Sequence, residues 1–317
     1  MTLIREHETS TRVAKAARAP KARRRNTNQR AAYVFMTPWM IGAVLLTVGP
    51  MVASLYLSFT NYDLFTAPRW IGAANYAHML HDEQFRASVS VTLRYVFLSA
   101  PLKLIMALVV AMLLVKPRRG LGFYRSAFYA PSLLGASVSV ALVWRALFSD
   151  GGFVDKGLST AGVHTGGWID NPRYALYALV VLAVWQFGAP MVIFLAGLKQ
   201  IPQDLYDAAS MDGAGRMRSF WHITIPMLSP IIFFNLILEI INAFQSFTGA
   251  YIISGGRGGP ANSTLFYTLY LYQRGFTSFQ MGYASAMAWV LLGAIAIVTF
   301  AVFRSANFWV FYSGEDK

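Results

Sequence analysis

The chain has no cysteine and little charge. Of its 317 residues, 13% are Asp, Glu, Lys or Arg, while 56% are hydrophobic. Without cysteine there is neither a disulfide nor a thiolate metal site. Ordinary globular sequence is about a quarter charged, so this composition excludes a soluble domain. Acid is scarcest: 14 acidic against 27 basic residues leave a net charge of +13. That excess alone would admit nucleic acid as a partner, but its distribution argues against one. Nine basic residues (Arg5, Arg12, Lys15, Arg18, Lys21, Arg23, Arg24, Arg25 and Arg30) precede the first apolar run. Cytoplasmic flanks of membrane helices carry such excess, and a basic tail against anionic lipid is the expectation.

Reactive motifs are missing as well. No G-x-x-x-x-G-K-[ST] phosphate loop occurs, and Gly255-Gly256-Arg257-Gly258-Gly259-Pro260 lacks both the lysine and a preceding strand. That run is expected to be a flexible outer loop. His7, His78, His81, His164 and His222 show no metal-ligand spacing; His78 and His81 sit beside Asp82 with no further ligand. No nucleophile elbow is present. No catalytic residue, metal or cofactor is assigned.

What the chain does have is long apolar runs. Several approach or exceed the roughly 20 residues that span hydrocarbon as a helix, and the first is longer than the roughly 7–15-residue core of a signal peptide. The expected fold is all-α and polytopic, with six transmembrane helices at about 33–59, 89–115, 126–148, 174–198, 227–253 and 281–303. Residues 1–30 read as a disordered basic tail, 31–310 as the membrane domain and 311–317 as a second tail. Lys116, Arg118, Arg119 and Arg125 assign the turn after span two to the cytoplasm. Lys199, Arg216, Arg218, Arg304 and Lys317 fall on the same side, so both termini are expected to be cytoplasmic.

One lengthy polar interruption, residues 199–226, bears two helical patterns. Pro202 suits a first helical turn whose free N–H groups Gln203 or Asp204 can serve. Leu205, Ala208, Ala209 and Met211 form a small apolar stripe, Gly213 breaks the helix and Gly215 loosens the turn. A second short helix carries Phe220, Trp221 and Ile223, and Pro226 marks the return to apolar sequence. A helix–glycine–helix of this length suggests a docking element.

The same residues carry a resemblance. Asp207-Ala208-Ala209, Gly213, Ile223, Ile225 and Pro226 match, in every spacing, the E-A-A-x3-G-x9-I-x-L-P loop of permease subunits from ATP-binding-cassette importers. Asp207 stands for Glu and Ile225 for Leu, so charge and apolar group are kept and only the carboxylate's reach differs. The glycine- and proline-rich stretch continuing as Ala261-Asn262-Ser263-Thr264 resembles the carbohydrate and glycerol-phosphate branch, as does Trp70-Ile71-Gly72 followed by Asn75-Tyr76. The resemblance covers roughly residues 31–310.

The resemblance implies a type I importer permease fold in the plasma membrane of a prokaryote. It also implies a second homologous permease, two copies of a cytoplasmic ATPase and an extracytoplasmic solute-binding protein. ATP would be used by the ATPase alone, with Asp207 to Gly213 in its cleft. The implied solute is a sugar or oligosaccharide; the alternative within the family is glycerol 3-phosphate. A different class, a self-sufficient secondary transporter or channel, needs no docking loop and usually has inverted repeats; no internal repeat is evident here.

Span five is the informative membrane segment. Asn235, Glu239 and Asn242 share one helical face, which Gln245 and Ser246 extend, with Phe244 and Phe247 beside it. A carboxylate at mid-bilayer costs roughly 2.5–3.5 kcal/mol even on permissive scales, so it must face protein or water. The face either lines the solute path, with amides binding hydroxyls, or glues helices together. Lys103 in span two lies at similar depth and could neutralise Glu239.

Overall fold

The computed structural model describes residues 25–311 except Arg118, Ala136, Val163 and His164, together with the side chains from residue 32 onward. Most of the basic tail, the segment 312–317, Arg118 and His164 therefore lie outside the described residues. The chain forms two units, residues 1–53 and 54–317. Among the described residues, four helical stretches are long and apolar enough to cross a membrane, and the number rises to as many as six if each of two bent helix pairs is one span.

α1 (Arg25–Ala43), in the first unit, runs through one π-helical turn (Val44–Val48) into α2 (Gly49–Ser58), whose residues from Ser54 onward belong to the second unit. The helix thus starts inside the stretch expected to be disordered. No proline or glycine separates Arg25 from Pro38, so extending an existing helix backwards is cheap. The π turn sits where Pro50 lacks the N–H that would continue the ladder.

After α2 comes a hairpin of two-residue strands, β1 (Thr60–Asn61) antiparallel to β2 (Arg69–Trp70). Helix α3 (Ala74–His81) then occupies much of what the sequence suggested was loop. Asp82 explains both its end and the next start. Its Oδ1 accepts the backbone N–H of Gln84 at 2.9 Å and of Phe85 at 3.2 Å, capping α4 (Glu83–Leu114). Span two therefore begins six residues earlier than the expected Val89.

At 1.5 Å per residue, α4 is about 48 Å long, more than the roughly 30 Å hydrocarbon layer. Its buried positions, including Val91, Tyr95, Ala100, Ala107, Ala111 and Leu114, recur at helical spacing. That stripe packs against α8 (Ala175–Trp185), α9 (Gly188–Leu198), α12 (Ile225–Phe244) and α14 (Tyr267–Tyr272). Small residues in the stripe allow close helix approach, which matters where apolar surface alone gives no drive in lipid.

Spans three and four are broken. α5 (Leu121–Leu134) stops after Pro131, and α6 (Val138–Phe148) restarts with Ser137 capping Val140 N–H. α8 and α9 meet at a 43° bend. Gln186 at the break uses its freed carbonyl to accept from Ser132 Oγ at 2.9 Å, and Ser132 in turn accepts from Ala189 N–H. Gly188 permits this contact: a Cβ there would lie 2.5 Å from the Phe128 carbonyl oxygen.

Pro226, where apolar sequence resumes as expected, does not interrupt the helix. α11 (Arg216–Ser219) passes through a π turn (Phe220–Thr224) directly into α12, so the second loop helix and span five are one rod. The π turn takes up the missing proline N–H. α12 ends at Phe244, and α13 (Thr248–Ile253) continues beyond a short irregular turn.

The stretch after α13 is not the free loop that glycine content suggests. Gly258 is buried, Gln273 Nε2 donates to the Gly256 carbonyl at 2.7 Å, and Leu265, Phe266 and the start of α14 are core residues. The last span, α15 (Met281–Trp309), runs past the expected Phe303. α14 is joined to its neighbours by one carboxylate. Asp82 Oδ2 accepts from the Tyr270 hydroxyl and from the Tyr283 hydroxyl at 2.9 Å, and it faces Arg274 Nη2 at 3.4 Å.

Candidate functional site

Two apolar clusters fill the second unit. One contains Tyr95, Val96, Ala243, Phe244 and the residues of α14; the other contains Leu104, Ala107, Met191, Phe194 and Leu195. Along α4 and α12 the boundary between them falls at Lys103 and Glu239. Lys103 Nζ donates to Glu239 Oε2 at 2.9 Å, with the side chains 15% and 12% exposed. Each charge is therefore largely removed from solvent but directly compensated.

The pair forms one wall of a cavity of about 340 Å³. Asn242, Gln245 and Ser246 from the α12–α13 region and Phe247 from the turn line it, with Tyr95 and Ser99 on α4 and Gln186 at the α8–α9 break. The broken helices make this possible. An unbroken span would satisfy its own backbone and offer only side chains; here Gln186, which donates to the Gly135 carbonyl at 3.1 Å, and the turn before α13 bring amides and main chain to the wall. The surface offers hydrogen-bond donors and acceptors, the aromatic rings of Tyr95 and Phe247, and a neutralised ion pair.

Of the residues proposed from sequence, the structure brings Lys103, Glu239, Asn242 and Gln245 to this cavity. Asn235 is corrected: it is 2% exposed, absent from the lining, and its Nδ2 donates to the Ile231 carbonyl of its own helix at 2.9 Å. Asn235 lies one turn before Glu239 along α12 and is enclosed by protein. Tyr95, Ser99 and Gln186 were missed. Tyr95, Ser99 and Lys103 are four apart, so they share a face of α4, and Gln186 is a polar residue within an apolar run; both signals were legible.

The second site is the polar loop. α10 (Gln203–Met211) starts at Pro202 without a side-chain cap, and Asp204 lies in its first turn. Gly213 has φ +77°, and two hydrogen bonds close the end: Gly213 N–H to the Ser210 carbonyl at 3.1 Å and Ala214 N–H to Ala209 at 2.8 Å. These are the two bonds of a Schellman motif, in which the left-handed residue is usually glycine. Tyr206 and Thr224 bond hydroxyl to hydroxyl at 2.9 Å, tying α10 to the long rod. Asp207 accepts from Gln203 Nε2 at 3.3 Å and is exposed, as is Ala208; Ala209, Ile223, Ile225 and Pro226 are half-buried. Met211, 90% exposed, and Leu205, 41% exposed, leave α10 with unpaired apolar surface.

His78 packs edge-on against Tyr283, and His81 Nδ1 lies 3.1 Å from the Ala77 carbonyl of its own helix. Among the described residues no group of three or more His, Asp or Glu is placed to hold a metal.

These features define a multi-pass helical membrane transport protein, with a polar cavity among broken spans and an exposed helix–glycine–helix loop at one end. Comparison with known proteins gives the family. Residues 80–308 match the model for binding-protein-dependent transport system inner membrane components, and the chain belongs to that family. It is accordingly a permease subunit and a multi-pass component of the inner membrane. It is similar to the probable ABC transporter permease protein YesP of Bacillus subtilis (strain 168), 48% identical over 94% of this chain and 97% of that protein. The arabinooligosaccharides transport system permease protein AraP of the same organism is 30% identical over 85% of this chain and 86% of its own length. The fold matches a chain of the bacterial alginate ABC transporter solved with an alginate pentasaccharide-bound periplasmic protein. That match has a TM-score of 0.72 at 17% identity, covering 89% of this chain and 95% of that one.

Proposed function

We propose that the chain carries a neutral sugar or oligosaccharide across the membrane, and that the cavity walled by Lys103, Glu239, Asn242 and Gln245 contacts the solute. The observation that carries this reading is the lining itself: amides, hydroxyls and two aromatic rings around about 340 Å³, with the one cation of the lining neutralised by Glu239. Hydroxyl-rich solutes need both donors and acceptors, and a ring face accepts the apolar side of a sugar. A phosphate monoester would meet Glu239 as a like charge, which disfavours glycerol 3-phosphate. AraP, named for arabinooligosaccharides, supports the same solute class.

The subunit works within an assembly. A second homologous permease completes the pathway, two cytoplasmic ATPase copies hydrolyse ATP, and an extracytoplasmic binding protein delivers the solute. The exposed apolar residues of α10, with the turn at Gly213, suit insertion into an ATPase cleft, and both termini then lie in the cytoplasm. The chain itself binds no cofactor, and rigorously pure protein is expected to hydrolyse no ATP.

The test is isolation of the assembly through a tag on this chain in mild detergent, followed by reconstitution into vesicles. An ATPase should co-purify, and ATP should drive uptake of a neutral oligosaccharide. Uptake of glycerol 3-phosphate alone would overturn the solute class. Solute flux by the chain without any ATPase would overturn the importer reading in favour of a secondary transporter or channel.

A further inference from the structure

A second cavity, of about 650 Å³, lies where the loop meets the ends of α4 and α9. One side of its lining is apolar, formed by Met112 and Val115 from the end of α4 and by Leu198 and Ile201 at and after the end of α9. Its polar side carries Lys116 and Arg216, both exposed, and no carboxylate contributes to the lining. The two ion pairs among the described residues are elsewhere, at Lys103–Glu239 and Arg274–Asp82. Tyr206 and Thr224 share one hydrogen bond, which leaves one of the two hydroxyl protons free to donate. The membrane level is marked on the same element. Phe220 lines the cavity and Trp221, 59% exposed, stacks edge-on to it at 5.2 Å; such aromatics favour the headgroup layer.

We propose that this cavity binds one anionic phospholipid. Its phosphate-bearing headgroup lies between Lys116 and Arg216, and an acyl chain lies along Met112, Val115 and Leu198. Two unpaired cations above an apolar floor complement that amphiphile and no neutral one, and basic pockets between membrane helices are where such headgroups lodge. A soluble anion would use the two charges but leave the floor empty. A zwitterionic lipid would fill the floor but bring its own cation to the charges. Because Lys116 follows span two and Arg216 starts the rod leading into span five, the bound lipid would tie the loop to both spans.

The experiment uses the assembled complex in nanodiscs of phosphatidylcholine with and without phosphatidylglycerol. Lipid retention is read by native mass spectrometry, and thermal stability alongside it. Wild type should retain phosphatidylglycerol selectively and gain stability from it, and the double variant Lys116→Gln, Arg216→Gln should retain it about thirtyfold more weakly. Ala214→Trp fills the cavity without removing a charge and should abolish the selectivity too, so the result does not depend on charge variants alone. Wild-type retention by both variants would overturn the proposal. So would an equal stability gain from phosphatidylcholine, or from inorganic phosphate in phosphatidylcholine discs.

Discussion

Lys103 on α4 reaches across to Glu239 on α12 at 2.9 Å, 136 residues apart in the chain and at the boundary between two apolar clusters. The pair sets the charge of one wall of the cavity. Each side chain is mostly buried, so removing one partner strands the other.

Glu239→Gln and Lys103→Met should each destabilise the complex, by less than the roughly 3–5 kcal/mol seen for fully buried pairs because some solvent reaches both groups. The double variant should be milder than the sum of the singles. A double-mutant cycle on thermal unfolding measures this, and additive losses would show that the pair is not coupled.

Gly213→Val places a β-branched residue at φ +77°, a strain of order 1–3 kcal/mol. No neighbouring atom lies within 4 Å of the added Cβ, so the cost is conformational rather than steric. The chain should insert normally while coupled transport falls sharply. Wild-type transport by an assembled Gly213→Val complex would contradict the loop's coupling role.

Asp82 gives a pH signature. Burial raises its carboxyl, but the hydroxyls of Tyr270 and Tyr283, the Phe85 N–H and the Arg274 charge outweigh that, and its pKa lies below the ordinary carboxylate value. A depressed folded-state pKa contributes stability that is complete above the unfolded value near 3.9 and is lost as pH falls through the folded one. Asp82→Asn should therefore cost about 1.5–3 kcal/mol at neutral pH, the worth of charge-assisted hydrogen bonds. The gap between variant and wild type should close below about pH 4. A gap independent of pH would contradict the ionised network.

Gly188→Val would drive a side chain into the Phe128 carbonyl and the Tyr129 Cα, 2.5 and 2.7 Å from the new Cβ. Backbone cannot yield as a flexible side chain can, so a loss at or beyond the usual 1–3 kcal/mol of overpacking is expected. Unchanged thermal stability would show that α5 and α9 separate at little cost.

The sequence made the membrane class, the loop and the charged pair legible because each is written locally: apolar run lengths, motif spacing, and one lysine and one glutamate at matching depth. It was weakest where backbone irregularity decides. Composition cannot distinguish a straight span from the bent α8–α9 pair, since Gln186 satisfies the break through a serine 54 residues away. That the second loop helix runs unbroken into span five past Pro226 was not legible, because a π turn can absorb the proline's missing donor. The region after Ile253 read as a flexible loop from its glycines, yet Gly258 and α14 are packed into the core by contacts with distant helices. Asn235 shares a helical face with Glu239 and Asn242, but its burial comes from tertiary packing that periodicity does not report.

Solute is proposed to meet this subunit in the cavity walled by Lys103 and Glu239. ATP-driven uptake of a neutral oligosaccharide per assembled complex, compared between wild type and the Asn242→Leu, Gln245→Leu double variant, tests it most directly. Losing two side chains that can hydrogen-bond solute hydroxyls, at about 1 kcal/mol each, should lower uptake tenfold or more while the subunits still co-purify. Uptake at the wild-type rate by an equally assembled double variant would contradict it.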